Sequence, residues 1–283
     1  MLIAGPTASG KSALALARAR TEGGVIINTD ALQVYDGLRL ITARPSDSDM
    51  AAAPHLLYGT VSPDTRFSTG EWARAAADLI ASETRPLFFV GGTGLYFEAL
   101  TKGFADVPEV PAAEVAAAEA ELAGLDGAAR ARLIADRDPE MAARLKAPDP
   151  QRVARALAVK AATGKSLAFF QDRTHSPLLD GFEIERIGLN PDREILRRRI
   201  AERFKTMFAA GAVAEVEALL ALGLDPALPV MKAIGVPEIT ALLAGEITAE
   251  TAIERAVIAT RQYAKRQRTW YRGRMADWDW IEG

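Results

Sequence analysis

Gly5-Pro6-Thr7-Ala8-Ser9-Gly10-Lys11-Ser12, preceded by the apolar run Met1-Leu2-Ile3-Ala4, decides the fold. The pattern G-x-x-x-x-G-K-S is that of a phosphate-binding loop. A buried strand must turn sharply into a helix while its backbone N–H groups converge on a phosphate. Gly5 and Gly10 permit that turn and the close backbone approach. Lys11 sets a cation against the outer phosphate, and the Ser12 hydroxyl can ligate a Mg²⁺ bridging phosphate oxygens. The run Ala13 to Arg18 reads as a helix whose N-terminus favours anions. The loop indicates a diphosphate or triphosphate. It does not say which, or what becomes of it.

Downstream, Val25-Ile26-Ile27-Asn28-Thr29-Asp30 passes from apolar to polar, as a buried parallel strand does when its C-terminal end reaches a ligand edge. Asp30 is therefore expected on the same edge as the glycine loop. Three roles are open to it there: Mg²⁺ ligand, general base or helix N-cap. Residues 41–66, with Pro45, Pro54 and Pro63, are expected to be irregular, and the lone His55 among them is given no role. Ser68 and Glu71 form a capping-box pair opening a helix to about Glu83. Leu87-Phe88-Phe89-Val90 is the next expected strand. It runs into Gly91-Gly92-Thr93-Gly94 with no acidic residue at its end, which counts against an ordinary ATPase. The glycines either bring backbone and the Thr93 hydroxyl close to a ligand or make a packing turn.

From Pro108 to Leu145 the texture becomes alanine-rich and two or three helices are expected. Asp149-Pro150 then caps another helix carrying Arg152 and Arg155 on one face. That pair is either a solvated basic face or a phosphate contact. Phe182 to Leu189 reads as a strand returning to the sheet. The following helix carries Arg197, Arg198, Arg199 and Arg203, which can clamp a diphosphate. Another helix opens after Gly211 and a compact turn spans Lys232 to Glu238. A long final helix from about Ala249 carries seven cations from Arg255 to Arg274, with no acid between them and Tyr263, Trp270 and Tyr271 interleaved. It is either an RNA-binding face or a surface helix paired with acidic helices.

The fold class expected is α/β: a P-loop NTPase-like parallel sheet flanked by helices, formed by residues 1–107 and 180–283, with an inserted all-helical region at 108–179. The chain has 283 residues, a net charge of −3 and no cysteine. Disulfides, thiolate metal sites and cysteine nucleophiles are excluded. No apolar run approaches the roughly 20 residues that span a bilayer. With a strand and loop pattern at the very start, no leader is expected, and a cytoplasmic monomer is.

Several stretches, in order, resemble tRNA dimethylallyltransferases, also called tRNA isopentenyl transferases. They are Gly5 to Ser12, Asn28 to Tyr35, Val90 to Tyr96, Gln151 to Arg155, Arg199 to Phe204, Lys232 to Gly235 and Thr260 to Gln267. The resemblance implies transfer of a dimethylallyl group from dimethylallyl diphosphate to N6 of the adenosine 3′ of the anticodon, with Mg²⁺ assisting. It implies that the loop Gly5, Pro6, Thr7, Ala8, Ser9, Gly10, Lys11 and Ser12 holds the diphosphate, and that Ser12 ligates the Mg²⁺. Thr93 would bond the leaving group, Asp30 would take the N6 proton, and Arg203 or Arg199 would clamp the diphosphate. Asp30, Ala31, Leu32, Gln33 and Thr93, with Gln151, Arg152, Val153, Ala154 and Arg155, would contact the tRNA anticodon stem-loop. Two departures stand out: Ala31 replaces the family's common serine, and a single His55 replaces a paired histidine. A small-molecule kinase, a prenyltransferase acting on free adenine nucleotide and a non-catalytic RNA-binding protein are the rival readings.

Overall fold

The computed structural model describes residues 1–105, 107–173 and 176–282. The chain divides into two compact units, one built from Met1–Phe97 and Gly181–Gly283 and the other from Glu98–Asp180.

The first unit is a six-stranded, all-parallel sheet in the order β3-β2-β4-β1-β5-β6. Its strands are β1 (Leu2–Ala4), β2 (Val25–Asn28), β3 (His55–Leu56), β4 (Leu87–Gly91), β5 (Arg186–Leu189) and β6 (Asp279–Ile281). The central strands β1, β2 and β4 are apolar along most of their length and buried on both faces, as a parallel sheet covered by helices requires. Ile3 sits opposite Val90 on one side and Ile187 on the other, so the loop after β1 emerges between the ends of β4 and β5. The chain leaves β1 for β2 on one side and later returns to β5 on the other. A crevice opens at such a switch point, outside the carboxyl ends of the strands.

The helices of this unit are α1 (Lys11–Glu22), α2 (Asp47–Ala52), α3 (Thr69–Ser82), α4 (Gly94–Thr101), α10 (Arg193–Ala209), α11 (Ala212–Leu220), α12 (Val236–Leu243) and α13 (Ala249–Arg274). The division between the units falls inside α4. The expected cap of α3 is present in full: Ser68 accepts from the Glu71 N–H, and Glu71 accepts from the Ser68 N–H. Three expectations change. The stretch 41–66 is not wholly irregular, because Ser46 and Asp49 make a second capping box that starts α2, and β3 follows it. The strand expected over 182–189 begins only at Arg186, and Phe182 lies exposed before it. The edge strand β6 has no counterpart among the expected strands.

The second unit is helical: α5 (Ala112–Leu122), α6 (Gly127–Arg137), α7 (Pro139–Arg144), α8 (Pro150–Thr163) and α9 (Leu167–Gln171). Ala118, Leu122, Ile134, Met141, Val153 and Leu157 form its core. Buried Asp138 ends α6 and caps α7 by accepting from the Met141 N–H at 3.2 Å.

Candidate active site

The loop after β1 takes its shape from two left-handed residues, Ala8 at φ 63° and Gly10 at φ 98°. Only glycine adopts the second freely, which is why it stands immediately before α1. Gly5 is needed for a different reason. A Cβ there would lie 2.5 Å from Ser9 Oγ and 3.1 Å from the Leu189 carbonyl of β5. The loop amides and the N-terminus of α1 form the anion-binding concavity expected of the pattern. Lys11 folds back and donates to the Pro6 carbonyl at 3.4 Å. Loss of hydration lowers its pKa to about 8; Asp30 opposes that shift and Arg203 adds to it.

Asp30 lies just beyond β2, in a turn built by Asn28. The buried Asn28 side chain accepts from the Asp30 N–H at 2.8 Å and donates to the carbonyls of Asp30 and Leu57. Asp30 Oδ1 accepts from the Leu32 N–H at 3.1 Å, so the capping role left open in the sequence is realised on a short turn rather than a helix. From β4, the Thr93 N–H donates to the Thr29 carbonyl, and Thr93 Oγ1 accepts from the Ala31 N–H at 3.0 Å. With that acceptor site taken, the Thr93 hydroxyl keeps its own proton for another partner.

Loop, turn and helices meet at one cavity of about 310 Å³. Its lining combines polar Thr7, Lys11, Ser12, Asp30, Arg203, Lys232 and Arg266 with apolar Leu32, Ile41, Ile200, Phe204, Met207, Ala233 and Ile234. Arg203 is half-buried and donates to Thr7 Oγ1 at 3.4 Å, and burial lowers its pKa. Arg199 is exposed one turn earlier and lines none of this cavity. The sequence leaves the two arginines undecided; of the two, Arg203 is the one that lines this cavity and bonds Thr7. Gln33 reaches the cavity, but its amide nitrogen donates to the Thr42 and Ala43 carbonyls and holds the wall together.

In the helical unit, Gln151, Arg152 and Arg155 are exposed on α8. Val153 and Ala154, between them, are in that unit's core at 0% and 8% exposure and present no side chain to a polymer. In α13, Tyr271 is likewise buried rather than offered to bases: its hydroxyl lies 3.2 Å from the Gly5 carbonyl and 3.0 Å from that of Gly92. The cations of α13 behave differently. Arg261, Lys265, Arg266, Arg268 and Arg272 make no ion pair with any described residue. Four of them, with Arg193 and Arg197 of α10, line a groove of about 920 Å³ with no acid among its described lining residues.

The family model for IPP transferase matches residues 33–274, and that for isopentenyl transferase matches residues 1–58. A tRNA dimethylallyltransferase of Chelativorans sp. (strain BNC1) is 50% identical over 282 residues, 98% of this chain and 97% of the relative. One of Beijerinckia indica is also 50% identical, over 99% of this chain and 94% of the relative. The chain belongs to the tRNA dimethylallyltransferase family. The full-length tRNA isopentenylpyrophosphate transferase of Bacillus halodurans superposes with a TM-score of 0.69 at 31% identity, covering 99% of this chain and 88% of that one. A eukaryotic dimethylallyltransferase acting on tRNA gives 0.81 at 25% identity, over 99% of this chain and 73% of that one.

The family resemblance implies a Mg²⁺. Among the described residues no group of three or more His, Cys, Asp or Glu forms a metal cage. Ser12 and Asp30 do line one cavity beside the loop amides. That donor set fits an ion held chiefly by diphosphate oxygens and water, which is how Mg²⁺ is usually bound.

Two residues that order the site are given no role in the sequence reading, although Gln267 closes the stretch Thr260 to Gln267 that carries the resemblance. Glu215 of α11 accepts from the N–H groups of Arg39, Leu40 and Ile41 at 2.6, 2.8 and 2.9 Å, and so fixes the loop that carries Ile41 to Ala43 into the cavity wall. Gln267 of α13 joins the two glycine turns. Neither has a local signal, because each binds backbone far away in the chain.

Proposed function

We propose that this chain transfers a dimethylallyl group from dimethylallyl diphosphate to N6 of the adenosine 3′ of the anticodon in tRNA. One observation carries the reading: a single cavity of about 310 Å³ is lined by the phosphate-loop residues Thr7, Lys11 and Ser12, by Arg203 and Asp30, and by apolar Leu32, Ile41, Phe204 and Met207. That mixed lining suits a short branched hydrocarbon on a diphosphate.

The chemistry follows from the placed groups. The bond from C1 of the donor to its bridging oxygen breaks while a bond from N6 to C1 forms. Charge builds on the departing pyrophosphate, where the loop amides, Lys11 and Arg203 lie; electrostatic stabilisation of this kind is usually the largest catalytic contribution. Mg²⁺ held by Ser12 would neutralise part of that charge. The Thr93 hydroxyl, its acceptor side engaged by Ala31, donates to the bridging oxygen. Asp30 takes the N6 proton as the amine becomes positive. Such a cavity requires the target base to be turned out of its stack. The unpaired cations of α13 and the exposed Gln151, Arg152 and Arg155 supply phosphate contacts.

The test is transfer of label from radiolabelled dimethylallyl diphosphate, with Mg²⁺, to unmodified tRNA or to AMP in parallel. Label in tRNA alone upholds the reading. Label in AMP alone makes the protein a nucleotide prenyltransferase. Label in neither, from folded protein, rejects prenyl transfer.

A further inference from the structure

One side chain ties the two loops of the site together. Gln267 projects from the core face of α13 and is buried at 6% exposure. Its Oε1 accepts from the Thr7 N–H at 3.1 Å, and its Nε2 donates to the Gly92 carbonyl at 3.0 Å. Thr7 belongs to the phosphate loop. Gly92 precedes Thr93, whose hydroxyl is fastened to the Asp30 turn. The amide therefore spans the diphosphate cradle on one side and the proton-handling turn on the other. One turn along, the Tyr271 hydroxyl reaches the carbonyls of Gly5 and Gly92, the same two loops.

The chemistry of the link is specific. One loop offers an N–H and the other a carbonyl, so the bridge must accept on one atom and donate from the next. A carboxamide does so at every pH, a carboxylate cannot donate, and a thioether does neither to a useful degree. The approach is close enough that a Cβ on Gly92 would lie 2.2 Å from Gln267 Nε2. Gly92 is glycine because Gln267 is there. The Thr7 N–H is also withdrawn from the amides that can meet an anion, which leaves the inner loop and Lys11 to do so.

Resting on the transfer reading above, we propose that Gln267 is a positioning residue: its amide sets the span between the phosphate loop and the Gly92–Thr93 turn, and hence the alignment of the departing diphosphate with Thr93 and Asp30. It touches neither substrate. Its loss costs turnover through misalignment, and a displacement of about 1 Å at a reacting centre costs about 100-fold.

The experiment compares wild type, Gln267→Glu and Gln267→Met, each checked for cooperative melting. Gln267→Glu is expected to lower kcat about 10- to 100-fold at pH 8 with KM for tRNA within about threefold. Its activity relative to wild type should climb as pH falls toward 6, because a protonated carboxyl again accepts on one oxygen and donates from the other. The titratable groups beside this amide are Tyr263, which hydrogen-bonds it, Tyr271, which shares the Gly92 carbonyl with it, and Asp30, which with it flanks the Gly92 position. All are present in both proteins, so the ratio isolates the new carboxyl. Gln267→Met should show the loss without recovery. Amide hydrogen exchange gives a readout that needs no substrate: in Gln267→Met, protection of residues 5–12 and 91–96 should fall together. A wild type that transfers no label overturns the transfer reading, while the exchange result still decides the clamp. Wild-type kcat in both variants overturns the inference. So does equal, pH-independent loss in both with KM for both substrates raised, or exchange that changes in only one loop.

Discussion

The two glycine turns of the site look alike in sequence and work differently. In the first, Gly10 stands in open space and is glycine for its left-handed backbone. In the second, the glycines make room: a Cβ on Gly91 would meet the Thr29 carbonyl at 2.2 Å, one on Gly92 would meet Gln267, and one on Gly94 would meet Trp270 Nε1 at 2.0 Å. The first turn carries its anion-binding pattern within eight consecutive residues, although Gln267, Arg203 and Tyr271 reach it from far along the chain. The second is a junction whose meaning lies in the segments that press on it. On the proposed reading, this contrast assigns donor binding to the first loop and turnover to the second.

The sharpest test removes the base held by the second junction. Asp30→Asn keeps an oxygen for the Leu32 N–H and so preserves the turn. Turnover should fall by roughly 10² to 10⁴ with tRNA affinity kept, measured by single-turnover transfer alongside filter binding. Unchanged turnover would strip Asp30 of its role. Next in size is Thr93→Val, which keeps volume but removes the donor, together with the oxygen that accepts from the Ala31 N–H. A drop of roughly 10² to 10³ in kcat is expected, the scale of one oxyanion-hole donor. Should the effect fall on donor KM instead, the second turn would be part of the cradle and the contrast would fail.

Legibility followed the same division. The phosphate loop can be read because every feature it needs lies within eight consecutive residues. Asp30 can be placed because polarity rises along Val25 to Asp30, although its real support, the Asn28 turn and the Leu57 carbonyl, cannot. Arg199 and Arg203 share a helical face by spacing alone, and only Thr7 distinguishes them. Glu215 and Gln267 look like ordinary helix residues because their partners are backbone atoms 174 to 260 positions away. Tyr271 reads as a base-stacking ring because composition does not tell a buried hydroxyl from an exposed one. The edge strands β3 and β6 are too short for any periodicity to show.

A smaller effect belongs to the first loop. Lys11 has a pKa of about 8 in the free protein, chiefly from lost hydration. Bound diphosphate would hold it charged. The donor's kcat/KM, which reports the free enzyme, should therefore bend downward above about pH 8, while kcat does not bend there. The same shift acts on stability with a definite sign. A lysine whose folded pKa is depressed penalises folding below that pKa, and the penalty is relieved as pH rises from about 8 to the ordinary 10.5. Across that gap the penalty is roughly 3 kcal/mol. Lys11→Met should thus melt higher than wild type at pH 7 without ligand, and lose the advantage near pH 10, while donor binding is abolished throughout. A lower melting temperature at pH 7 would mean that the ammonium is well accommodated in the empty cradle.

The smallest effect concerns α13, whose two flanks repeat the contrast. Its core face, through Gln267 and Tyr271, orders the site, whereas Arg261, Lys265, Arg266, Arg268 and Arg272 pair with no described acid. Arg268 and Arg272 line the groove shared with α10, and the Arg268 pKa is lowered by burial and by the neighbouring charges of Arg193 and Arg272. A phosphate beside Arg268 would relieve the repulsion that Arg193 and Arg272 exert on it. Replacing both arginines by alanine should raise KM for tRNA several-fold at low salt and leave kcat and the donor's KM alone. The slope of log KM against log salt should fall by about 0.7 to 0.9 for each phosphate that the arginines had neutralised. A change in kcat would mean that the outer flank also orders the site, and the two flanks could then not be separated. An unchanged slope would mean that the phosphates lie elsewhere, leaving the exposed arginines of α8 as the next to remove.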